Sequence, residues 1–176
     1  MTLIKTARTT IRPFVSSDLN DLQQILGDPV TMTYVEPPYT YEQTKHFLEN
    51  FCIKRKAALA CVHKDNNKLI GYLLFKSLGE ADSNGHNDVY ELGWIFNRNY
   101  WCQGFAYEAS KALLDYAFDN LKAHRVSAET INLEQAKPLL EKLGLHCEGR
   151  LIEATRSNDG DFCDLYVYGL VKNQED

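Results

Sequence analysis

From Asn97 to Ala106 the chain reads N-R-N-Y-W-C-Q-G-F-A, and the chemistry this stretch offers lies in its backbone. A sheet-like run, V-Y-E-L-G-W-I-F from Val89 to Phe96, precedes it, and an apolar helical pattern follows. The start of a helix exposes unpaired N–H groups and a partial positive charge, so such a turn can bind phosphate without basic side chains. Gly104 lets a ligand come close to the backbone, and Ala106 keeps the first helical turn uncluttered. On spacing alone, a tight strand-to-helix connection with no ligand is the plainer reading. Two side chains could add chemistry of their own. Glu91 is a carboxylate in a run that reads as a central strand, where it must be paired or functional: a general base, or a structural acceptor for a neighbouring strand or loop. Cys102, inside the turn, is a thiol that a helix N-terminus could make reactive, but no histidine lies near it in sequence. A small buried residue is the simpler account of it.

The five histidines, His46, His63, His86, His124 and His146, are dispersed without H-E-x-x-H or comparable spacing, so no metal is expected. Cys52, Cys61, Cys102, Cys147 and Cys163 are odd in number and lack C-x-x-C spacing, which argues against a disulfide framework or a zinc site and for reduced, buried thiols. The net charge is −5 with lysines and arginines scattered, which disfavours a nucleic-acid surface and suits a cationic substrate. An anionic cofactor would then be held by local devices such as the turn above. The opening M-T-L-I-K-T-A-R-T-T-I-R-P-F has no long apolar run and no cleavage signal, and no stretch reaches membrane-spanning length, so a cytoplasmic protein with no membrane partner is expected.

The elements that must position these residues follow from periodicity. With 176 residues, 44% apolar and 24% charged, the chain fits a single domain over 1–176. T-T-I-R-P-F (Thr9 to Phe14) reads as a first strand limited by Pro13 or placed at an edge. A helix carrying Leu19, Leu22, Ile25 and Leu26 follows, capped by Ser16 or Ser17. Thr40 with Gln43 forms a capping signal for a second helix that buries Phe47, Leu48 and Phe51. A-A-L-A-C-V-H-K and K-L-I-G-Y-L-L-F-K-S-L form a hairpin about D-N-N, and Gly79 to Asp88 is a polar loop. V-Y-E-L-G-W-I-F is a third strand, with Gly93 marking a bulge or a close approach. After the turn, Ala106, Ala109, Leu113, Tyr116 and Ala117 share a helix face. Then come a strand (H-R-V-S-A-E-T-I), a helix (E-Q-A-K-P-L-L-E-K-L-G) and a closing hairpin over S-N-D-G-D. Pro138 is tolerated in that helix if it falls in the first turn. Hairpins mixed with strand–helix–strand units describe a mixed α/β sheet with helices on both faces, and not a doubly wound nucleotide-binding sheet, since G-x-G-x-x-G is also missing.

W-C-Q-G-F-A (Trp101 to Ala106) resembles the Q/R-x-x-G-x-G/A pyrophosphate loop of the GNAT N-acetyltransferase superfamily. The longer Y-E-L-G-W-I-F-N-R-N-Y-W-C-Q-G-F-A-Y-E-A is similar to the corresponding segment of the ribosomal-protein N-terminal acetyltransferase branch. T-A-R-T-T-I-R-P-F, K-L-I-G-Y-L-L-F, H-R-V-S-A-E, L-L-E-K-L-G and D-L-Y-V-Y-G-L match that branch in order, over nearly the whole chain. The resemblance implies a splayed, mixed central β-sheet flanked by helices, and acetyl-CoA as cosubstrate. It implies that the pantetheine arm runs beside Trp94, Ile95 and Phe96, and that the pyrophosphate sits on the amides of Cys102, Gln103, Gly104, Phe105 and Ala106. Backbone donors near Ile95 would polarise the thioester carbonyl. Glu91 would be the base, acting through water, with Tyr34 and Trp94 beside the acceptor. The acceptor implied is a protein N-terminal α-amine; a small amine, such as an antibiotic, a polyamine or an amino acid, is the alternative.

Two departures from the family pattern bear on mechanism. The family's later helix often begins N-x-A-S, where this chain has Glu134, Gln135, Ala136 and Lys137. Many members carry a thiolate-protonating tyrosine where Leu140 stands, so the general acid is expected to be weak, water-borne or absent, with Lys137 a solvated helix residue. These substitutions leave open a CoA-binding regulatory module with little turnover. The closing hairpin around Phe162 to Leu170 is a candidate for pairing across a homodimer, which related proteins often form.

Overall fold

The structure, a computed structural model, describes residues 3–78 and 87–172; most of the polar loop expected over Gly79 to Asp88, with His86, lies outside the described residues. Eight strands form one sheet: β1 (Ile4–Lys5), β2 (Thr9–Pro13), β3 (Ala58–His63), β4 (Leu69–Ser77), β5 (Val89–Phe96), β6 (Arg125–Thr130), β7 (His146–Arg156) and β8 (Phe162–Val171). Their spatial order is β1-β2-β3-β4-β5-β6-β8-β7, and among the described residues the β5–β6 pair alone is parallel. Helices α1 (Leu19–Leu26) and α2 (Tyr41–His46) pack on one face, where Leu22, Ile25, Leu26, Leu48 and Met32 meet Ala58, Ala60, Val62 and Tyr72. Helices α3 (Phe105–Asp119) and α4 (Leu133–Lys142) cover the other, with Ala109, Leu113, Leu114, Ala117 and Leu140 against Leu73, Phe75, Leu92 and Phe96. Each leucine so buried contributes about 1.5–3 kcal/mol of transfer free energy.

The strands of β5 divide their side chains between these two cores by simple alternation. Tyr90, Leu92, Trp94 and Phe96 pack with α3 and α4, while Ile95 packs with α1 and α2. Glu91 and Gly93 therefore share the α1/α2 face with Ile95. Gly93 is not a bulge: it pairs in register with Leu74, whose Cβ would stand 3.3 Å from an added methyl group. The irregularity lies one strand over, between Cys61 and Val62 opposite Leu69–Gly71. Gly71 is required there, since a Cβ would meet the Phe96 ring at 2.4 Å.

Several local expectations are corrected. Pro13 ends β2 without placing it at an edge, because the two-residue β1 pairs with it outside (Ile4 with Ile11, Lys5 with Thr10) and β3 inside. A run of two residues leaves no periodicity to read. Neither Ser16 nor Ser17 caps α1. The buried Asp18 organises that corner instead, accepting from Val15 N–H and from both Arg12 guanidinium nitrogens at 2.7 and 2.8 Å. The Thr40–Gln43 capping box forms as expected, but after His46 the helix widens over Phe47–Lys54, where Arg55 N–H reaches back to Asn50 C=O. Such a widened turn keeps an apolar face and so leaves no mark in the hydrophobic pattern.

In α4, Asn132 caps the first turn and Pro138 sits beyond it, exposed, where its ring cannot donate to the Glu134 carbonyl. An interior proline costs a helix about 3 kcal/mol relative to alanine. Because Pro138 buries little, Pro138→Ala is expected to raise the unfolding free energy by about 1–3 kcal/mol in urea titrations. An unchanged or lowered value would show that the helix is built around the proline.

Candidate active site

The site begins where the sheet divides. β4 holds β5 over its length, from Tyr90 against Ser77 to Phe96 against Gly71. On the other side β5 pairs with β6 at Val89–Arg125, Tyr90–Val126 and Glu91–Ser127, and the ladder stops there. β6 continues to Thr130 on β8 alone. From Leu92 to Phe96 one edge of β5 thus faces a gap, and backbone groups in such a gap need water or a ligand as partners. This is the splay that the sequence resemblance implied.

The gap leads directly to the loop. Asn97, buried, turns the chain: its N–H donates to Ile70 C=O and its side chain accepts from Asn99 N–H. Trp101 reaches back to donate from Nε1 to Phe96 C=O at 2.6 Å, and Gln103 donates from Nε2 to Asn99 C=O at 2.8 Å. Gly104 has φ +81°, which L side chains rarely adopt, and it starts α3. The first bond back into the helix is Glu108 N–H to Gly104 C=O, so the N–H groups before it have no intrahelical acceptor. Cys102, Gln103 and Gly104 are exposed and Ala106 half-buried, while Phe105 is buried under the loop against Tyr100 and His63, with ring centroids 5.7 and 5.4 Å away. The residues expected to meet a pyrophosphate are therefore together, in line with the open edge at Trp94–Phe96.

The expectation of buried thiols holds for Cys52 and Cys61 and is corrected for the others: Cys163 is half-buried, Cys147 is exposed, and Cys102, with a positive φ of +57°, stands exposed in the loop. Among the described residues no histidine hydrogen-bonds it, so nothing in the site equips it as a nucleophile. Glu91 is the last β5 residue paired with β6, and its Oε2 lies 3.0 Å from Lys76 Nζ across the β4–β5 ladder. That pair supplies the partner that a structural carboxylate would need, yet an ion pair this exposed is worth about 0–1 kcal/mol. Leu140, at the position of the family's tyrosine, is buried in the core, and Lys137 is exposed beside Glu141 at 3.7 Å, a solvated helix pair. Neither is placed to protonate a leaving group from within the site.

The two acceptor-side candidates are not brought onto one face. Trp94 is half-buried in the α3/α4 core, whereas Tyr34 lies half-exposed in the α1–α2 connection, beside Met32 of the opposite core. That connection is tied down from two sides: Asn158, at the β7–β8 turn, donates to Met32 and Thr33 carbonyls at 3.0 Å, and Arg98 stands 3.6 Å from Asp28. Burial pushes the Asp28 carboxyl up, but hydrogen bonds from Thr31 and the charge of Arg98 outweigh it and hold the group below its ordinary range. On the same side of the sheet an open cleft of about 610 Å³ is lined by Tyr39, Phe47, Phe51, Glu36, Glu42 and His46 among others. Asn158 reads in the sequence as turn chemistry only, and its reach to the α1–α2 connection leaves no local signal. Among the described residues no group of three or more histidine, cysteine or carboxylate side chains could hold a metal, and no helix is long and apolar enough to cross a membrane.

Comparison with known proteins agrees with this geometry. Residues 8–146 match the family model described as an acetyltransferase (GNAT) domain. The uncharacterized N-acetyltransferase YnaD of Bacillus subtilis is 29% identical over 175 residues, covering 97% of this chain and 98% of that protein. The crystal structure of a GNAT-family acetyltransferase from Bacillus anthracis superposes with a TM-score of 0.85 at 27% identity, covering 97% and 98% of the two chains. The ribosomal-protein-S5-alanine acetyltransferase of Vibrio fischeri shares the fold, with a TM-score of 0.82 at 18% identity over 99% of this chain and 98% of that one. A sheet that divides at Glu91, an amide-lined loop continuing its open edge, and a domain match over most of the length lead to one conclusion: the chain belongs to the GNAT acetyltransferase family.

Proposed function

We propose that the protein transfers an acetyl group from acetyl-CoA to a primary amine by direct attack, and that the acceptor is the α-amine of a protein N-terminus. The observation that carries the transferase reading is the open edge of β5 running into a loop of unpaired amides at the start of α3. An extended arm can add to the edge as a further strand does, and the amides of Cys102 to Ala106 meet the diphosphate without a basic side chain. The acceptor assignment draws on the sequence likeness to the ribosomal-protein branch and on the fold shared with the Vibrio fischeri enzyme.

Acetyl-CoA brings an acetyl group already activated as a thioester, whose sulfur leaves as a thiolate. The chain's own part is to bind, orient and move one proton. An amine is protonated at neutral pH and must lose a proton before it can form the new C–N bond. Glu91 stands at the fork, on the same face of the sheet as Ile95, and takes that proton through water. Lys76, on a flexible and partly exposed stem, releases the carboxylate to an incoming ammonium. N–H groups near Ile95 stabilise negative charge on the acetyl oxygen as the amine adds to the carbonyl; that charge passes to the sulfur when the carbonyl re-forms and the C–S bond breaks. Once the C–N bond has formed the nitrogen sheds its second proton, and with Leu140 buried and Lys137 solvated, water carries that proton to the departing sulfur. A thiol ionises near pH 8.5 (roughly), so its thiolate leaves without a strong acid and the missing tyrosine costs little.

Two measurements test this reading. Mass spectrometry after incubation with acetyl-CoA, a panel of N-terminal peptides and a panel of small amines is expected to find acetylated peptide α-amines. Products on small amines alone would overturn the acceptor assignment, and saturable CoA binding with no product would support a binding module instead. For Glu91→Gln, turnover at pH 7 is expected to fall on the order of 10²-fold, with partial recovery at alkaline pH and an unchanged KM for acetyl-CoA. Turnover equal to the wild type at both pH values would remove Glu91 from the mechanism.

A further inference from the structure

Arg8, in the β1–β2 turn, makes an unusual set of contacts with the loop at the start of α3, about a hundred residues away in sequence. Its backbone N–H donates to Glu108 Oε1 and its Nε to Glu108 Oε2, each at 2.7 Å. One terminal nitrogen donates to the carbonyl of Gln103 at 2.9 Å. The guanidinium lies over the Phe105 ring, 4.1 Å from its centroid, within cation–π range. Glu108 is further held by Thr6, whose Oγ1 donates to Oε1 at 2.5 Å, and its side chain is only 18% exposed. Burial pushes this carboxyl up, but the bonds from Thr6 and Arg8 outweigh burial and keep it below its ordinary range. The carboxylate also sits in the first turn of α3, where the helix dipole favours a negative charge.

The consequence lies in the geometry of one peptide unit. In a trans peptide the C=O and the N–H point in opposite directions. Holding the Gln103 carbonyl toward Arg8 therefore aims the Gly104 N–H away from it, toward the exposed side of the loop. Glycine at 104 would otherwise make this the easiest peptide in the loop to flip, because either sign of φ is open to it. A flipped peptide would present a carbonyl oxygen where an anion is to bind. We propose that Arg8, anchored by Glu108, is a positioning residue that fixes the orientation of the Gln103–Gly104 peptide and so keeps the Gly104 amide turned toward the diphosphate of CoA. The proposal rests on the reading of this loop as the diphosphate site.

The test compares CoA with thioesters that lack the diphosphate. Isothermal titration of CoA into Arg8→Ala is expected to show affinity at least tenfold below the wild type. The preference for acetyl-CoA over acetyl-pantetheine, as the ratio of kcat/KM values, is expected to fall by a similar factor, a change that general loss of packing would not produce. Arg8→Lys keeps the backbone bond to Glu108 but restores little, because one ammonium nitrogen cannot occupy both positions from which Nε meets the Glu108 carboxylate and a terminal nitrogen meets the Gln103 carbonyl. Glu108→Gln, which keeps the shape and removes the charge, weakens CoA binding in the same direction and serves if Arg8→Ala does not fold. CoA affinity within twofold of the wild type in both variants, or an unchanged preference between the two thioesters, would overturn the proposal. A wild-type protein that fails to bind CoA at all would instead defeat the underlying reading of the site, and the clamp with it.

Discussion

Three residue pairs between β5 and β6 join the two halves of the sheet, and the open edge of β5 exists because there are no more. β4 keeps β5 straight on one side, and β8 keeps β6 straight on the other. Past Glu91 and Ser127 neither strand has the other as a partner. A sheet interior that loses its ladder must find hydrogen-bond partners elsewhere, because a buried amide or carbonyl left alone costs about 1–3 kcal/mol. A fold can tolerate such a gap if water fills it or if an extended ligand completes it. The packing on each face then decides what surrounds that ligand. Even-numbered β5 residues are locked into the α3/α4 core, and the odd-numbered face, carrying Glu91 and Ile95, looks toward α1, α2 and the cleft beside them.

The loop at the end of β5 is braced by contacts from several parts of the chain. Trp101 and Gln103 brace it from within, by bonds to Phe96 and Asn99 carbonyls. Arg8 and Glu108 brace it from outside, and Phe105 is buried beneath it with His63 and Tyr100. An anion site made of backbone amides needs this support more than one made of lysines, since an amide can be turned away by a single peptide rotation, whereas a lysine carries its charge in any rotamer. In a protein of net charge −5, the proposed diphosphate site relies on local amide geometry in place of a basic patch.

What was legible in the sequence was what repeats or what is local. The strands from Ala58 to Phe96 and the closing hairpin are read from alternation and turn residues, and Thr40 with Gln43 announces its helix start by a motif three residues long. The strand–turn–helix around Gly104 and the position of Glu91 on a strand are equally local. The misreadings share a different cause. β1 is too short for a period, and the widened helix over Phe47–Lys54 changes hydrogen bonding without changing the apolar face. Gly93 as a bulge was undetermined because a glycine records that space is needed and not what fills it; here it is the Leu74 side chain. Arg8, Glu108, Lys76 and Asn158 could not be assigned roles from sequence because each acts on a partner far along the chain.

The most direct measurement of the central claim is amide hydrogen exchange, read residue by residue, with and without CoA. The account predicts slowed exchange along Leu92 to Phe96 and Cys102 to Tyr107 when CoA is present, with the Phe162–Val171 strand unchanged. Protection confined to the cleft beside α2, or no protection in either segment at saturating CoA, would contradict it.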